Sequence, residues 1–502
     1  MTGTRTPAAQ VAAEPEPVRR TAWRHAAWAA AIGAAAGVVS DLVMPRGPVT
    51  PVHVLAGMAL GFVAGGVAGR LARSRWAMLI APLAFVVACE IGRAGLVGPT
   101  VDRPDLTTTI GVLVLVLGRG FQALVQLLPM VLGAAVGAGL ARGTDAGRSR
   151  RRWPRWARRG VVGIMSLALV AFAVVLTRPG TTAPIDGRGG VAELATVQLG
   201  GHDQTVLIRG RSTDNPVLLY LAGGPGQSDL GYTRAYMAGL EDDVVFAVWD
   251  QRGTGTSYAA LDPTGTWTLD QAVADTVELS RYLADRFGKE KIYLFGNSWG
   301  STLGVLAVQR HPELFHAFIG AGQMVSQLAT DRIIYRQLLD HAARTGDTEL
   351  AGRMRDYGPP PYRDIYAYGF VLGYYDTLAP YPRTDYYRSH GPAGIDGTGV
   401  PEYGPLDKIN KEKGLADMAA VLYPQLQQLD FRTSVRSLEV PVHLVQGAHE
   451  LSARADLARE WFGRLRAPAK QWITFADSGH VPQFEEFPHF RTVLRQIVRN
   501  TS

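Results

Sequence analysis

The sequence predicts a helical membrane region of about five spans, followed by a doubly wound α/β domain. Three observations predict it. Residues 1–178 hold five apolar runs of roughly membrane-crossing length. They also carry 20 Arg, no Lys and 7 acidic residues, a net of +13, so the whole-chain charge of +7 leaves −6 for the rest. From Val191 onward, strand-like and helix-like segments alternate, the pattern of a mostly parallel sheet with helical crossovers. The whole-chain mean hydropathy of +0.03 is therefore the average of two unlike parts.

A helix needs ~20 mostly apolar residues to cross a bilayer. The candidate spans are Ala26–Met44, Val52–Gly69, Trp76–Ile91, Phe121–Ala141 and Val161–Thr177. The third is short and is expected to run on through Glu90 and Arg93 toward Val97. Thr108–Leu117 is apolar but too short to cross; it is re-entrant, interfacial or the start of a long fourth helix. Gly57, Gly61, Gly65 and Gly69 recur every four residues and would line one face of the second helix. Gly33 with Gly37, and Gly133 with Gly137, repeat the spacing. Such faces let helix backbones approach closely in lipid. Glu90, Arg93 and Arg119 are the ionisable residues that stand out in the spans, too few to suggest a transport pathway.

Arginine sets the expected orientation. It is dense in the tail (residues 1–22), in the loop after the second span (Arg70, Arg73, Arg75) and in the basic loop 142–159. With five spans these fall on one side. The expectation is an integral plasma-membrane protein with a cytoplasmic N-terminus and an extracytoplasmic C-terminal domain. The basic loop lies between two spans, so anionic lipid, not nucleic acid, is its expected partner. Trp153 and Trp156 read as interfacial. A cleaved signal peptide is not expected, because four more spans follow the first. The region 23–178 is thus the membrane region, and 179–190, rich in Pro, Gly and Thr, reads as a linker.

The domain 191–502 opens with a hairpin, Thr196–Leu199 and Thr205–Arg209, around Gly200-Gly201-His202-Asp203. The strands Val217–Leu221 and Asp243–Trp249 follow. Thr268–Phe287 is an amphipathic helix, Lys291–Phe295 a strand, Ser298–Gln309 a helix and His316–Gly320 a strand. An insertion runs over about 324–434, with helices expected at Leu328–Arg344 and Thr348–Tyr357. Its many tyrosines between Tyr362 and Tyr387 would line a pocket or fill the insertion's own core. The closing elements are strand Val440–Gln446, helix Arg454–Leu465, strand Gln471–Phe475 and helix Phe487–Val498.

Chemistry concentrates at Gly296-Asn297-Ser298-Trp299-Gly300, a G-x-S-x-G at a strand-to-helix turn. The glycines permit a tight elbow that lifts the Ser298 hydroxyl clear of the sheet. The start of the next helix favours developing negative charge. A nucleophilic serine needs a base and an orienting acid. His480 and Glu450, each in the loop after a strand, supply the order nucleophile, acid, base. Asp456 is the alternative acid. The oxyanion hole would use the Trp299 N–H and one from Gly223 or Gly224. The Gly253-x-Gly255 pair lacks the G-x-G-x-x-G spacing of a dinucleotide loop. A single Cys, Cys89, excludes a disulfide framework and a Cys-based zinc site. No cofactor or metal is expected.

At Gly223-Gly224-Pro225-Gly226, Asp250-Gln251-Arg252-Gly253-Thr254-Gly255-Thr256-Ser257, Gly296–Gly300 and Ser478-Gly479-His480, the sequence resembles the α/β-hydrolase superfamily. More narrowly, over about Val191 to Arg499, it resembles the proline iminopeptidase group of serine peptidases. The resemblance implies an N-terminal exopeptidase or close relative. It also implies an α/β-hydrolase domain with an inserted helical cap, the insertion over about 324–434, whose carboxylates hold the substrate amine. Asp331, Asp340, Asp364 and Asp376 are the candidates, and spacing selects none. Two positions depart from the group's pattern: Ala222 stands where His is usual, and Glu450 where the acid is usually Asp. These departures bear on peptide specificity. The leading expectation is a membrane-anchored exopeptidase acting on short peptides through an acyl-enzyme. An esterase or lipase-like hydrolase is the alternative, and a non-catalytic binding or sensory protein the remote one. The expected partners are a small peptide or ester and the lipid bilayer; oligomeric state is not set by the sequence.

Overall fold

The computed structural model describes residues 16–44, 47–94, 104–143, 155–186, 189–261, 267–391 and 397–501. The chain forms two compact units. Most of the tail, most of the basic loop with Trp153, and the proposed helix end at Val97 lie outside the described residues.

The first unit is helical. It contains α1 (Glu16–Val43), α2 (Pro51–Ala72), α3 (Ala77–Arg93), α5 (Phe121–Gly143) and α6 (Arg155–Leu176), while α4 (Thr109–Leu115) belongs to the second unit. Among the described residues, four stretches are long and apolar enough to cross a membrane: Trp23–Val43, Pro51–Ala72, Thr109–Ala141 and Arg159–Leu176. The third expected span is helical but stops at Arg93, with Ala94 extended. Of the three readings of Thr108–Leu117, the long fourth helix is found: α4 continues through a π-helical turn, Val116–Gly120, into α5.

The glycine faces are contact faces. A Cβ at Gly61, Gly65 or Gly69 of α2 would lie 2.2, 1.9 or 2.2 Å from the carbonyl oxygens of Gln126, Met130 and Ala134 on α5. Gly133 and Gly137 meet the Phe62 and Gly66 carbonyls in return, and Gly33 of α1 meets that of Ala81 on α3. Backbones this close exclude any side chain, and they gain dispersion contacts that lipid does not offer. Arg93 is not isolated. It lies 3.6 Å from Asp41 and 3.5 Å from Glu90, and donates to Gln122.

The second unit is built on one eight-stranded sheet: β1 (Val191–Leu199), β2 (His202–Gly210), β3 (Val217–Leu221), β4 (Val245–Trp249), β5 (Ile292–Asn297), β6 (Phe315–Ala321), β7 (Val442–Gly447) and β8 (Lys470–Phe475). Its order is β1-β2-β4-β3-β5-β6-β7-β8. The hairpin strands run antiparallel and every pair from β4 to β8 runs parallel. The central strands β3, β4 and β5 are buried along their whole length, as expected where helices cover both faces. These are α7 (Leu230–Tyr236), α8 (Leu269–Arg286) and α9 (Trp299–Arg310) among the early strands. Between β6 and β7 come α10 (Gln327–Thr345), α11 (Thr348–Tyr357), α12 (Ile365–Leu372), α13 (Tyr375–Leu378), α14 (Asp385–His390), α15 (Pro405–Leu426) and α16 (Phe431–Ser434). α17 (Ser452–Arg464), α18 (Pro482–Glu485) and α19 (Phe487–Thr501) complete the chain.

Most expected strands and helices of the second unit are found within three residues of their expected bounds, but β1 starts at Val191, before the expected Thr196, and α1 and α6 start at Glu16 and Arg155, well before the expected Ala26 and Val161. The segment after Arg178 has no regular structure but is not loose. Thr181 N–H donates to the Pro401 carbonyl at 2.8 Å, and Arg209 reaches Thr182 and Ala183 at 2.6 Å. Among the cap tyrosines, Tyr362, Tyr368 and Tyr423 are buried in the cap's own core, so the core reading holds for them.

The glycine face yields a test. Gly65→Val should lower the melting temperature of the full-length protein in detergent, since overpacking costs about 1–3 kcal/mol. Gly163→Ala, whose new methyl would meet nothing within 4 Å, should leave it unchanged. Equal melting of both variants would refute the close α2–α5 contact.

Candidate active site

Parallel strands bring their C-terminal ends to one edge of a sheet, where α/β folds place their ligands. Ser298 follows β5, Glu450 follows β7, His480 follows β8, and Gly223 follows β3.

Ser298 sits at φ 52° and ψ −119°, a conformation that costs a non-glycine residue of order 1–3 kcal/mol. The surroundings hold it there. Its N–H donates to the Ala321 carbonyl at 2.9 Å, and Ser301 Oγ donates to the Ser298 carbonyl at 2.6 Å. The turn has no room for side chains at its flanks: a Cβ on Gly296 would lie 2.2 Å from the Gly300 oxygen, and one on Gly300 2.0 Å from the Leu221 oxygen. Trp299 opens α9, so its N–H is among the first-turn donors that lack an intrahelical acceptor.

Glu450 and His480 are brought together. His480 Nδ1 and Glu450 Oε2 are 2.5 Å apart. Glu450 is buried, and burial pushes its pKa up. Arg454, one helical turn on, and His480 more than offset this and hold it at about 2. A carboxylate at neutral pH can only accept. Nδ1 therefore carries the proton, and Nε2 is left as the basic nitrogen. Glu450 Oε1 is pinned by Arg454 Nε at 3.0 Å and the Leu451 N–H at 2.8 Å. Asp456 is exposed on α17; the carboxylate on His480 is that of Glu450.

Neighbouring loops lock these groups to one another. Asn297 Nδ2 donates to the Ala321 carbonyl at 3.2 Å and to the His480 carbonyl at 3.3 Å, so it joins the elbow to the histidine loop. Gly322, at φ 53°, packs against the His480 ring, where a Cβ would lie 2.8 Å from Nδ1. A Cβ on Gly223 would rest 3.5 Å from Ser298 Cβ, whereas Gly224, at φ 114°, turns toward Gly226 and Gln227. The Gly224–Pro225 bond is cis. Gln251 ties this turn to the elbow: its Oε1 accepts from Trp299 Nε1 at 2.9 Å, and its Nε2 donates to the Ala222 carbonyl at 3.4 Å.

Sequence reasoning missed Arg454, Gln251, Gly322 and Glu485. Glu485 is buried, accepts the Gly479 N–H at 2.7 Å and the Tyr381 hydroxyl at 2.7 Å, and pairs with Arg383. It thus fixes the loop that carries His480 from below. Only the i, i+4 spacing of Glu450 and Arg454 was a readable signal. His449 stacks on Tyr381, rings 4.9 Å apart and 1° from parallel. Of the four candidate carboxylates Asp331 alone is buried, accepting from Tyr423 and Gln327 at 2.7 and 2.8 Å, and burial raises its pKa to about 6; Glu402 and Asp417 of the cap are buried as well. Asp340 is exposed, Asp364 caps α12 and Asp376 pairs with Arg383.

The Glu450 cluster makes stability pH-dependent. Its folded pKa, about 2, lies below the ordinary 4.5. Its contribution is fully present above about pH 4.5 and is lost as pH falls toward 2. In denaturant unfolding, wild type should be more stable than Glu450→Gln at neutral pH, and the gap should close as pH falls through that window. A gap that stays constant with pH would refute the charged Glu450–Arg454 pair.

Residues 216–487, more than half of the chain, match the family model for the α/β-hydrolase fold. A probable aminopeptidase, YbaC, of Bacillus subtilis (strain 168) is 29% identical over 310 residues, 62% of this chain and 97% of that protein. The proline iminopeptidase of Lactobacillus delbrueckii subsp. lactis is 22% identical over 294 residues, 57% of this chain and 91% of its own length. A solved proline iminopeptidase from Mycobacterium smegmatis superimposes with a TM-score of 0.41 at 20% identity, covering 62% of this chain and 98% of that one. With a matching family model over most of its sheet and this loop geometry, the chain belongs to the α/β-hydrolase family and is a hydrolase.

Proposed function

We propose that the chain is a membrane-anchored serine exopeptidase of proline iminopeptidase type, which removes N-terminal residues from short peptides. The observation that carries this reading is the Ser298 elbow tied through Asn297 to the loop of a histidine whose Nδ1 is fixed on an ionised Glu450. His480 Nε2 takes the Ser298 hydroxyl proton as Oγ bonds to the scissile carbonyl carbon. The carbonyl oxygen, now negative, is held by the N–H groups of Trp299 and Gly223. Gly223 is preferred to Gly224 because it lies against Ser298. As the C–N bond breaks, the imidazolium returns the proton to the leaving amine, leaving an acyl-enzyme. Water then attacks by the same route and frees Ser298. Glu450 keeps its charge throughout and steadies the imidazolium.

An esterase is the second reading, favoured by Ala222 standing where the peptidase group usually carries His. A panel of aminoacyl-amides and p-nitrophenyl esters separates the two. Proline-amide turnover that falls by roughly 10⁴-fold or more in Ser298→Ala supports the peptidase. Serine-dependent turnover of esters alone replaces it with the esterase, and turnover unaffected by the substitution rejects both.

We further propose that the catalytic domain is extracytoplasmic. Arginine density supports this. So does chain order: residues 47–50 and 104–119, the connections after α1 and after α3, belong to the same unit as the catalytic domain. That alternation supports five crossings, with α3 as the short one. Alkaline phosphatase fused after Ser502 should be active in bacterial cells, and an inactive fusion in a stable, full-length product would refute the orientation.

A further inference from the structure

Helix α15 carries a run, Asn410-Lys411-Glu412-Lys413, that reads as solvent-facing, yet Asn410, Lys411 and Lys413 are buried. Burying such groups is costly unless each finds a partner. Lys411 pairs with the adjacent Glu412 at 3.2 Å, whereas the partners of Asn410 and Lys413 come from far away in sequence. Asn410 exchanges two hydrogen bonds with the Val49 backbone, accepting from its N–H at 2.9 Å and donating to its carbonyl at 2.8 Å. Lys413 Nζ donates to the Gly47 carbonyl at 2.5 Å. Gly47 itself lies against Tyr258, whose hydroxyl bonds Asp417 of the same helix.

A second segment grips the helix from another side. Ile110 and Val114 of α4 pack on Ala416, Ile110 fills the space beside Gly369 of α12, and Arg353 Nη1 donates to the Thr107 carbonyl at 3.1 Å. The same helix also meets the glycine turns of the candidate site. A Cβ on Gly226 would lie 2.7 Å from the Leu415 oxygen and 2.9 Å from Met418 Cβ, and Gly414 lies against the Gly253 carbonyl.

We propose that residues 47–50 and 105–115, two segments from the N-terminal part of the chain that belong to the second unit, are positioning elements of the active site: they brace α15 against the Gly226 and Gly253 turns, and so hold the Gly223 backbone beside Ser298. The proposal rests on the hydrolase role given to Ser298. Each bracing segment runs directly into a helix at its C-terminal end, 47–50 into α2 and 105–115 through the Val116–Gly120 turn into α5, which restricts its freedom before it meets α15.

Two variants of the full-length enzyme in detergent test this, Asn410→Leu and the milder Ile110→Ala. Both should raise hydrogen exchange over 405–426 and 223–226. Both should also lower kcat/KM for the best substrate of the panel, by roughly tenfold for Asn410→Leu, with the loss in kcat more than in KM. Should Asn410→Leu not fold, Ile110→Ala decides alone. Exchange over those segments and kcat/KM that stay within twofold of wild type in folded variants would overturn the proposal. A wild-type enzyme that turns over no substrate would instead sink the hydrolase role, and the exchange comparison would still judge the brace.

Discussion

The strained backbone at Ser298 is the constraint on which the rest of the catalytic unit depends. A strand stops and a helix starts within one residue, and the backbone makes that turn with Ser298 at positive φ. That path exists because Gly296 and Gly300 have no side chains to collide with the Gly300 and Leu221 carbonyls. The unfavourable conformation is stabilised from outside by the Ala321 carbonyl, which accepts from both Ser298 and Asn297. The strand β6 is thus the elbow's support as well as a member of the sheet. The same Asn297 reaches the His480 carbonyl, so the position of the base is coupled to the shape of the elbow.

Around that point, charge is arranged in a sequence. Arg454 neutralises Glu450, Glu450 orders His480, and Glu485 holds the loop behind it. A glutamate has one more methylene than an aspartate, hence one more torsion to fix. The Arg454 and Leu451 hydrogen bonds on Oε1 fix it, leaving Oε2 for the histidine. Arg454 also lies 4.4 Å from the centre of the Tyr375 ring, where the cation is attracted to the aromatic face. The departure from the aspartate usual in the peptidase group therefore comes with its own local support.

Much of this was legible in the sequence because it is local. Strands such as Val217–Leu221 are continuous apolar runs bounded by turn residues, and they appear where expected. The elbow and the histidine loop announce themselves through glycine spacing. The α2 glycine stripe was readable as a contact face, and its partner is α5. What escaped was tertiary. Helix α15 shows no apolar stripe in its first turns, because Asn410 and Lys413 are buried against backbone groups more than 360 residues away. Glu485 looks like any surface acid until Gly479, Tyr381 and Arg383 converge on it. The third apolar run, Trp76–Ile91, is found as α3, which ends two residues further on at Arg93, where the backbone turns extended at Ala94.

The central claim is that the elbow presents Ser298 as a nucleophile activated by His480. Its most direct test is reaction of the purified full-length protein with a fluorophosphonate, followed by mass mapping of the adduct. The account predicts one adduct per chain, on the peptide containing Ser298, formed far more slowly in His480→Ala. An intact protein that takes no adduct, or carries it on a different residue, would contradict it.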